Sequence, residues 1–382
     1  MLEKTKALCD SFLELGVPGF DLSVYKDGEC ILRHTIGYSD LENKTPMRGN
    51  ERYNIYSCSK PITCTAAMQL WEKGLFSLDD KLSDYMPEFA EMTVGYGEDT
   101  RKAENPILVK HLFEMTAGFD YNVSSPEFNE ARAETGGRCQ TREAMKYLAK
   151  RPLLFEPGDR WEYSLCHDVL AAFVEVVSGE RFEDYTKKNI FDPLGMNDTT
   201  FMLPDAELST LAEQYRFDAE KKVAVNCGKN IQGYKIGSEY ASGGAGCIST
   251  VDDYIKFLEA LRVGDKIIGK DTVAFMATGR LSEEQSRTYW TNETHGYGLG
   301  MRTPKAGGVC RDFGWGGAAG AFLAVDPECG ISLYSAQHLL SSPNQQIRGW
   351  TYRYIMAELF DKEDFKKLII ESPLSKDYNL TY

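Results

Sequence analysis

The chain has 382 residues, 42% of them apolar and 26% charged, with a formal net charge of −14. That mix belongs to a folded globular protein large enough to bury a substantial core, and excludes disordered and fibrous classes. So acidic a surface repels phosphate backbones and anionic membranes, and no run reaches the roughly 18 apolar residues of a membrane span, so neither nucleic acid nor membrane is an expected partner.

The N-terminal Met1–Lys6 stretch lacks a signal peptide's apolar core and cleavage site, which predicts a cytoplasmic protein. A first helix is expected over residues 1–15, where Leu8, Phe12 and Leu15 fall at helical spacing. Strands over Phe20–Tyr25 and Cys30–Ile36 flank Lys26-Asp27-Gly28-Glu29, a hairpin turn by composition. Ser57 to Gly74 reads as a helix, with glycine as its stop. From about 75 to 235 the chain reads as helix and loop, with helices near 107–115, 142–149, 165–178 and 182–190. Another helix follows Ser249-Thr250-Val251-Asp252, whose hydroxyls can cap it. Strands are then expected over His295–Met301, Ala318–Val325 and Ile331–Gln337, and a closing helix over Pro343–Leu359.

This order predicts an α+β fold: one antiparallel sheet built from both chain ends and flanked by helices, with an all-helical domain inserted. The boundaries expected are 1–75 with 236–382 for the sheet domain, and 76–235 for the helical one.

Ten cysteines run from Cys9 to Cys329 without a CxxC pair, and the five histidines are equally scattered. Such spacing predicts no metal site, and without an export signal the thiols are expected to be reduced and mostly buried, secreted disulfides being the rival reading. Asp79-Asp80 and Glu283-Glu284 lack further oxygen ligands at regular spacing and read as solvated surface. With no Gly-x-Ser-x-Gly elbow, an α/β-hydrolase is not expected.

Ser57-Cys58-Ser59-Lys60 has the spacing Ser-x-x-Lys. On a helix, positions three apart share a face, so the Lys60 amine can reach the Ser57 hydroxyl and take its proton, provided the lysine is neutral. A second copy, Ser23-Val24-Tyr25-Lys26, falls on an expected strand, where such residues face opposite sides, and is no dyad. Tyr163-Ser164-Leu165 follows a Pro157-Gly158 turn, in a loop from which the Tyr163 phenol could relay a proton. The alternative is a packed aromatic. In Phe313-Gly314-Trp315-Gly316-Gly317-Ala318, the glycines would admit a substrate against the strand, with the Ala318 and Ser57 amides as an oxyanion hole. The alternative is a tight sheet needing small residues. Cys58 reads as a small buried side chain, and His167 as a helix-start or cleft-wall residue.

In this order, Ser57-x-x-Lys60, Tyr163-Ser164 and Trp315-Gly316-Gly317 resemble the motifs of the β-lactamase-related serine hydrolases. That superfamily includes class C β-lactamases, D-Ala-D-Ala carboxypeptidases, family VIII carboxylesterases and related acyltransferases. Further segments agree, among them His111-Leu112-Phe113-Glu114-Met115-Thr116-Ala117-Gly118 and Ser242-Gly243-Gly244-Ala245-Gly246, over about residues 5 to 360. The resemblance implies a β-lactamase/transpeptidase-like fold, Ser57 as nucleophile, Lys60 as base and Tyr163 as proton relay, with no cofactor.

Leu165 stands where lactamases usually have Asn, and Trp315 where they have Lys. Both departures point away from β-lactams and towards an ester. Leu165, Trp315, Gly316 and Gly317 are the expected substrate-binding residues, lining an apolar cleft for an uncharged acyl or alkyl group. Arg311 is a candidate for restoring an anion site, unless it faces solvent. The expected activity is a carboxylesterase-like hydrolysis of a small acyl substrate through an acyl-enzyme. Acyl transfer, hydrolysis of a β-lactam or D-amino-acid peptide, and non-catalytic binding are the alternatives. Oligomeric state is left open.

Overall fold

The structure, a computed structural model, describes residues 2–229, 233–380 and 382. Helix α1 (Glu3–Glu14) leads into strands β1 (Gly19–Lys26) and β2 (Glu29–Asp40). Their two-residue turn places Asp27 at φ 51° and Gly28 at φ 91°. Both angles lie in the left-handed region that a right-twisted hairpin needs, which is why Asp-Gly stands there. β3 (Thr45–Pro46) pairs with β2.

The later strands are β6 (Gly296–Tyr297), β7 (Arg302–Thr303), β8 (Phe313–Gly316), β9 (Phe322–Asp326) and β10 (Ile331–Gln337). Together they form an eight-stranded sheet in the order β6-β7-β8-β9-β10-β1-β2-β3, antiparallel at every pairing. β1 joins β10 over Phe20–Lys26 and Ile331–Gln337, so the two chain ends meet mid-sheet as expected.

Side chains alternate across this sheet with period two. Phe20, Leu22, Val24, Ala324 and Leu333 enter a core shared with α1 and with helix α5 (Trp350–Leu359). Leu323, Val325, Tyr334 and Ala336 face the opposite core, where helix α4 (Val251–Val263) packs. Thr250 caps α4 by accepting from the Asp253 N–H at 3.1 Å. The larger core also takes in Leu112, Met145 and Phe173 from the helical region, so that region and the sheet share one apolar interior.

Several expectations need correction. Residues 76–235 are not all helical: β4 (Gln214–Asp218) and β5 (Val223–Gly228) form a hairpin there, extended by β11 (Leu339–Leu340). The expected strand 295–301 is two short strands around a turn closed by Gly298 N–H on Met301 O. The expected strand 318–325 begins at Phe322, because residues 317–321 are the β8–β9 turn, held by Gly317 N–H on Ala321 O. The closing helix begins at Trp350, seven residues late, and residues 343–349 form an irregular segment. Helices Pro126–Glu134 and Lys270–Met276 were not anticipated.

All ten cysteines are free, seven of them buried. Among the described residues, no helix is long and apolar enough to cross a membrane.

Candidate active site

Ser57 lies in a 3₁₀ turn, Tyr56–Cys58, that runs directly into helix α2 (Ser59–Glu72). Tyr56, just before it, has φ 47°, a left-handed conformation that costs a non-glycine residue energy and gathers at functional sites. Helix α2 is buried from Ser59 to Leu70, polar residues included, so packing rather than amphipathicity holds it. Gly74, at φ 70°, closes it.

Lys60, in the first turn of α2, lies three residues on from Ser57 and so on the same face. Lys60 Nζ accordingly stands 3.4 Å from Ser57 Oγ, and its other hydrogen bond goes to the Gly244 carbonyl at 2.7 Å. The lysine is fully buried. Tyr163 Oη hydrogen-bonds Ser57 Oγ from the loop before helix α3 (Cys166–Ser178). Lys60 Nζ also lies 4.5 Å from the Tyr163 ring centre. Serine, lysine and tyrosine therefore meet as the sequence predicts.

Aromatic rings fix the phenol. Tyr121 stacks flat on Tyr163 with centres 5.3 Å apart and planes 7° apart, and Trp290 covers it at 4.8 Å. Trp315 lies nearly parallel to Tyr163 at 6.2 Å. Tyr121 and Trp290 carry no motif, and the sequence reading missed both.

Ser57 and Tyr163 open onto a cavity of about 540 Å³, a size suited to a small acyl compound. Trp315, Gly316, Gly317 and Ala318 line it, as expected. Ala318 is exposed at the tip of the β8–β9 turn. Gly317 is required by packing, since a Cβ there would stand 2.4 Å from the Ile55 carbonyl. Leu165 is a correction: only 1% exposed, it belongs to the core and does not line the cavity.

The cleft is not uncharged. Arg311 forms an exposed ion pair with Glu328 and takes no part in the site. The cation beside the glycines is Arg348, from the irregular segment before α5. Its Nη1 donates to Gly317 O at 2.7 Å, a carbonyl rather than a carboxylate. Burial pushes its pKa down, so a substrate anion there would stabilise the guanidinium. Arg353 lines the same cavity.

At the far end of β8, His295, Cys310 and Asp312 bring ligand atoms within 4.8 Å of one another. The scattered spacing of these residue types in the sequence concealed this cluster. The surroundings do not suit a cation. Asp312 already pairs with Arg302, and the Arg353 charge acts on the Cys310 thiol as well. Burial pushes the Asp312 carboxyl up, but Arg302 and His295 hold it down to about 2. A divalent ion would meet that positive charge, so the trio reads as a polar end wall.

Other residues fall as anticipated. Burial pushes the Cys58 thiol up to about 12, leaving it an inert core side chain. Ser23 and Lys26 lie on β1, away from the cavity. His167, expected at a helix start or cleft wall, is fully buried in the first turn of α3 and hydrogen-bonds Phe113 O.

The Ser242–Gly246 motif now has a physical reason. A Cβ at Gly243 would stand 2.4 Å from His167 O, and one at Gly244 would stand 2.5 Å from Asp168 Oδ2. The segment threads between α2 and α3: Gly243 O accepts from Thr63 and Gly244 O from Lys60.

Over residues 5–347 the chain matches the family described as Beta-lactamase. Esterase EstB of Burkholderia gladioli is 27% identical over 338 residues, spanning 81% of this chain and 83% of that protein. Among solved structures, EstCE1, a hydrolase with promiscuous acyltransferase activity, aligns with TM-score 0.72 at 26% identity over 91% of this chain and 99% of that one. Simvastatin synthase LovD of Aspergillus terreus aligns with TM-score 0.78 at 21% identity over 94% and 98%, a likeness of fold. The matched span holds the serine, the lysine and the antiparallel sheet behind them, and this chain belongs to the beta-lactamase family as a serine hydrolase of β-lactamase/transpeptidase-like fold.

Proposed function

We propose that the chain hydrolyses a carboxylic ester through an acyl-enzyme on Ser57. The observation that carries this reading is the convergence of Lys60 Nζ and Tyr163 Oη on one serine hydroxyl at the cavity wall. Ser57 Oγ attacks the carbonyl and gives its proton to Lys60. The oxyanion is held by the Ser57 and Ala318 amides, each such donor worth about 10²–10³ in rate. Tyr163 relays the proton to the leaving alcohol. Water, activated by the same pair, then releases the acid.

Aromatic walls at Trp290, Trp315 and Trp350 favour an apolar body on the substrate, while Arg348 favours an anionic group within reach of it. The decisive experiment is labelling with a fluorophosphonate probe and mapping the adduct. The label is expected on Ser57, to vanish in Ser57→Ala and persist in Ser23→Ala. A label that survives Ser57→Ala overturns the assignment.

A second reading is acyl transfer, supported by the activity ascribed to EstCE1 and by the aromatic shield that Trp290 and Tyr121 build over Tyr163. Adding alcohol or amine acceptors and measuring new ester or amide separates it from hydrolysis. Comparing a chromogenic cephalosporin with a p-nitrophenyl ester tests β-lactam hydrolysis, and faster turnover of the ester is expected. We place the protein in the cytoplasm, on its mostly buried free thiols.

A further inference from the structure

Two ionisable groups are buried together behind the reacting serine, and the mechanism above uses one of them. Lys60 is 0% exposed and Asp168 is 1% exposed. They do not touch. The Lys60 hydrogen bonds go to Ser57 Oγ and the Gly244 carbonyl, both uncharged. Asp168 Oδ1 accepts from Ser242 Oγ at 2.6 Å and from Tyr240 Oη at 2.9 Å. Its Oδ2 lies against Gly244, where no side chain fits. Residues 240–244 thus stand as a partition, with the carboxylate on one side and the amine on the other.

We infer that Asp168 positions Lys60: it clamps residues 240–244 through the hydrogen bonds it accepts from Tyr240 and Ser242 and its contact with Gly244, and it sets an acidic group opposite the buried amine across this segment. This rests on the reading of Lys60 as the base.

Among the described residues, the other groups around the amine carry no compensating charge. On its own element and the turn before it, Cys58 is pushed up to about 12 by burial, and Cys64 is pushed up likewise. On α3, Cys166 is pushed up to about 11 and His167 is pushed down to about 3, both by burial. From the loops, Tyr121 is pushed well up by burial, while Tyr163 belongs to the reacting cluster itself. These thiols, the His167 imidazole and the Tyr121 phenol are neutral near pH 7. Burial pushes the Asp168 carboxyl up, and although hydrogen bonds from Ser242 and Tyr240 and the Lys60 charge pull against it, it stays raised above the usual carboxylate range. A carboxylate opposite a buried ammonium favours the charged pair, so the influence of Asp168 on the lysine is read in the pH dependence of turnover.

The test is the pH dependence of p-nitrophenyl ester hydrolysis in Asp168→Asn, beside Tyr240→Phe, Ser242→Ala and Lys60→Ala. Asp168→Asn keeps an acceptor for Tyr240 and Ser242 but removes the charge. The acid limb of kcat/KM is expected to move down by about one pH unit. At the wild-type optimum kcat should fall about 10- to 100-fold, as a misplaced base costs, with KM within twofold because Asp168 does not line the cavity. Active sites are counted with the fluorophosphonate probe, so a loss of folded protein is not mistaken for a loss of rate. An unmoved limb with wild-type kcat overturns the inference. If Asp168→Asn does not fold, the other two variants decide. A fall in kcat of at least about fivefold at constant KM in the Tyr240→Phe/Ser242→Ala pair supports the clamp, and wild-type kcat overturns it. Should Lys60→Ala keep wild-type turnover, the lysine-base reading fails first. An inactive Lys60→Ala beside an unaffected Asp168→Asn removes this inference alone.

Discussion

The phenol of Tyr163 is clamped by Tyr121, whose ring lies 5.3 Å away and only 7° from parallel. An aromatic pair of this kind contributes about 0.5–1.5 kcal/mol beyond its buried area and restricts the ring to one orientation. That orientation is the one in which Oη meets Ser57 Oγ. On the proposed mechanism Tyr163→Phe removes the proton relay and is expected to lower kcat/KM by about 10²–10⁴. Tyr121→Phe keeps the stack and should stay within a few fold of wild type, whereas Tyr121→Ala should cost about tenfold, mostly in kcat. Steady-state kinetics on the three variants check this ordering.

Arg348 makes a second prediction. Its side chain hydrogen-bonds the Gly317 carbonyl, and among the described residues no carboxylate pairs with it. A charge-assisted hydrogen bond from substrate would be worth about 1.5–3 kcal/mol. Arg348→Ala should therefore lower kcat/KM at least about tenfold for an ester carrying a carboxylate, and only two- to threefold for a neutral p-nitrophenyl ester. Equal losses on the two substrates would remove the anion-binding role.

The pair of Asp312 and Arg302 ties stability to pH. The carboxyl titrates near 2 in the folded protein and at about 3.8 as a free side chain. Because the folded value is depressed, the stabilisation is fully present above the unfolded value. It is lost as pH falls from about 4 through about 2. Its size is roughly 2 kcal/mol. Melting temperatures of wild type and Asp312→Asn should differ most near neutrality and converge towards pH 2. A gap that stays constant below pH 4 would contradict the assignment.

The threading of residues 242–246 between two helices is equally testable. Gly243→Ala would push a methyl to 2.4 Å from the His167 carbonyl and 2.7 Å from Ala171 Cβ. Overpacking of this kind costs about 1–3 kcal/mol. Thermal unfolding should show the loss, and because Gly244 carries the Lys60 hydrogen bond, kcat should fall as well.

Much of this architecture was legible because it depends on neighbours in the chain. The β1–β2 hairpin follows from Asp27-Gly28, and the dyad follows from the three-residue spacing of Ser57 and Lys60 on one helical face. The β4–β5 hairpin was not legible: its alternating residues, from Gln214 to Gly228, are largely polar and half-exposed, and its partner Leu339–Leu340 lies more than a hundred residues on. The cavity wall shows the same limit. Leu165 and Arg311 were placed by their distance from a motif, yet one turned into the core and the other out to Glu328.

The amino-acid order alone determined the chemistry available: a hydroxyl and an amine one helical turn apart, a phenol ahead of a helix, and a glycine-rich strand end, since local geometry follows from backbone dihedrals and side-chain spacing. Tertiary packing decided which groups that chemistry meets. Gly244 beneath Lys60, Asp168 behind Gly244, Tyr121 against Tyr163 and Arg348 beside Gly317 are each contacts between separate segments. Such contacts are set by how buried faces exclude water together, and no spacing within one segment encodes them.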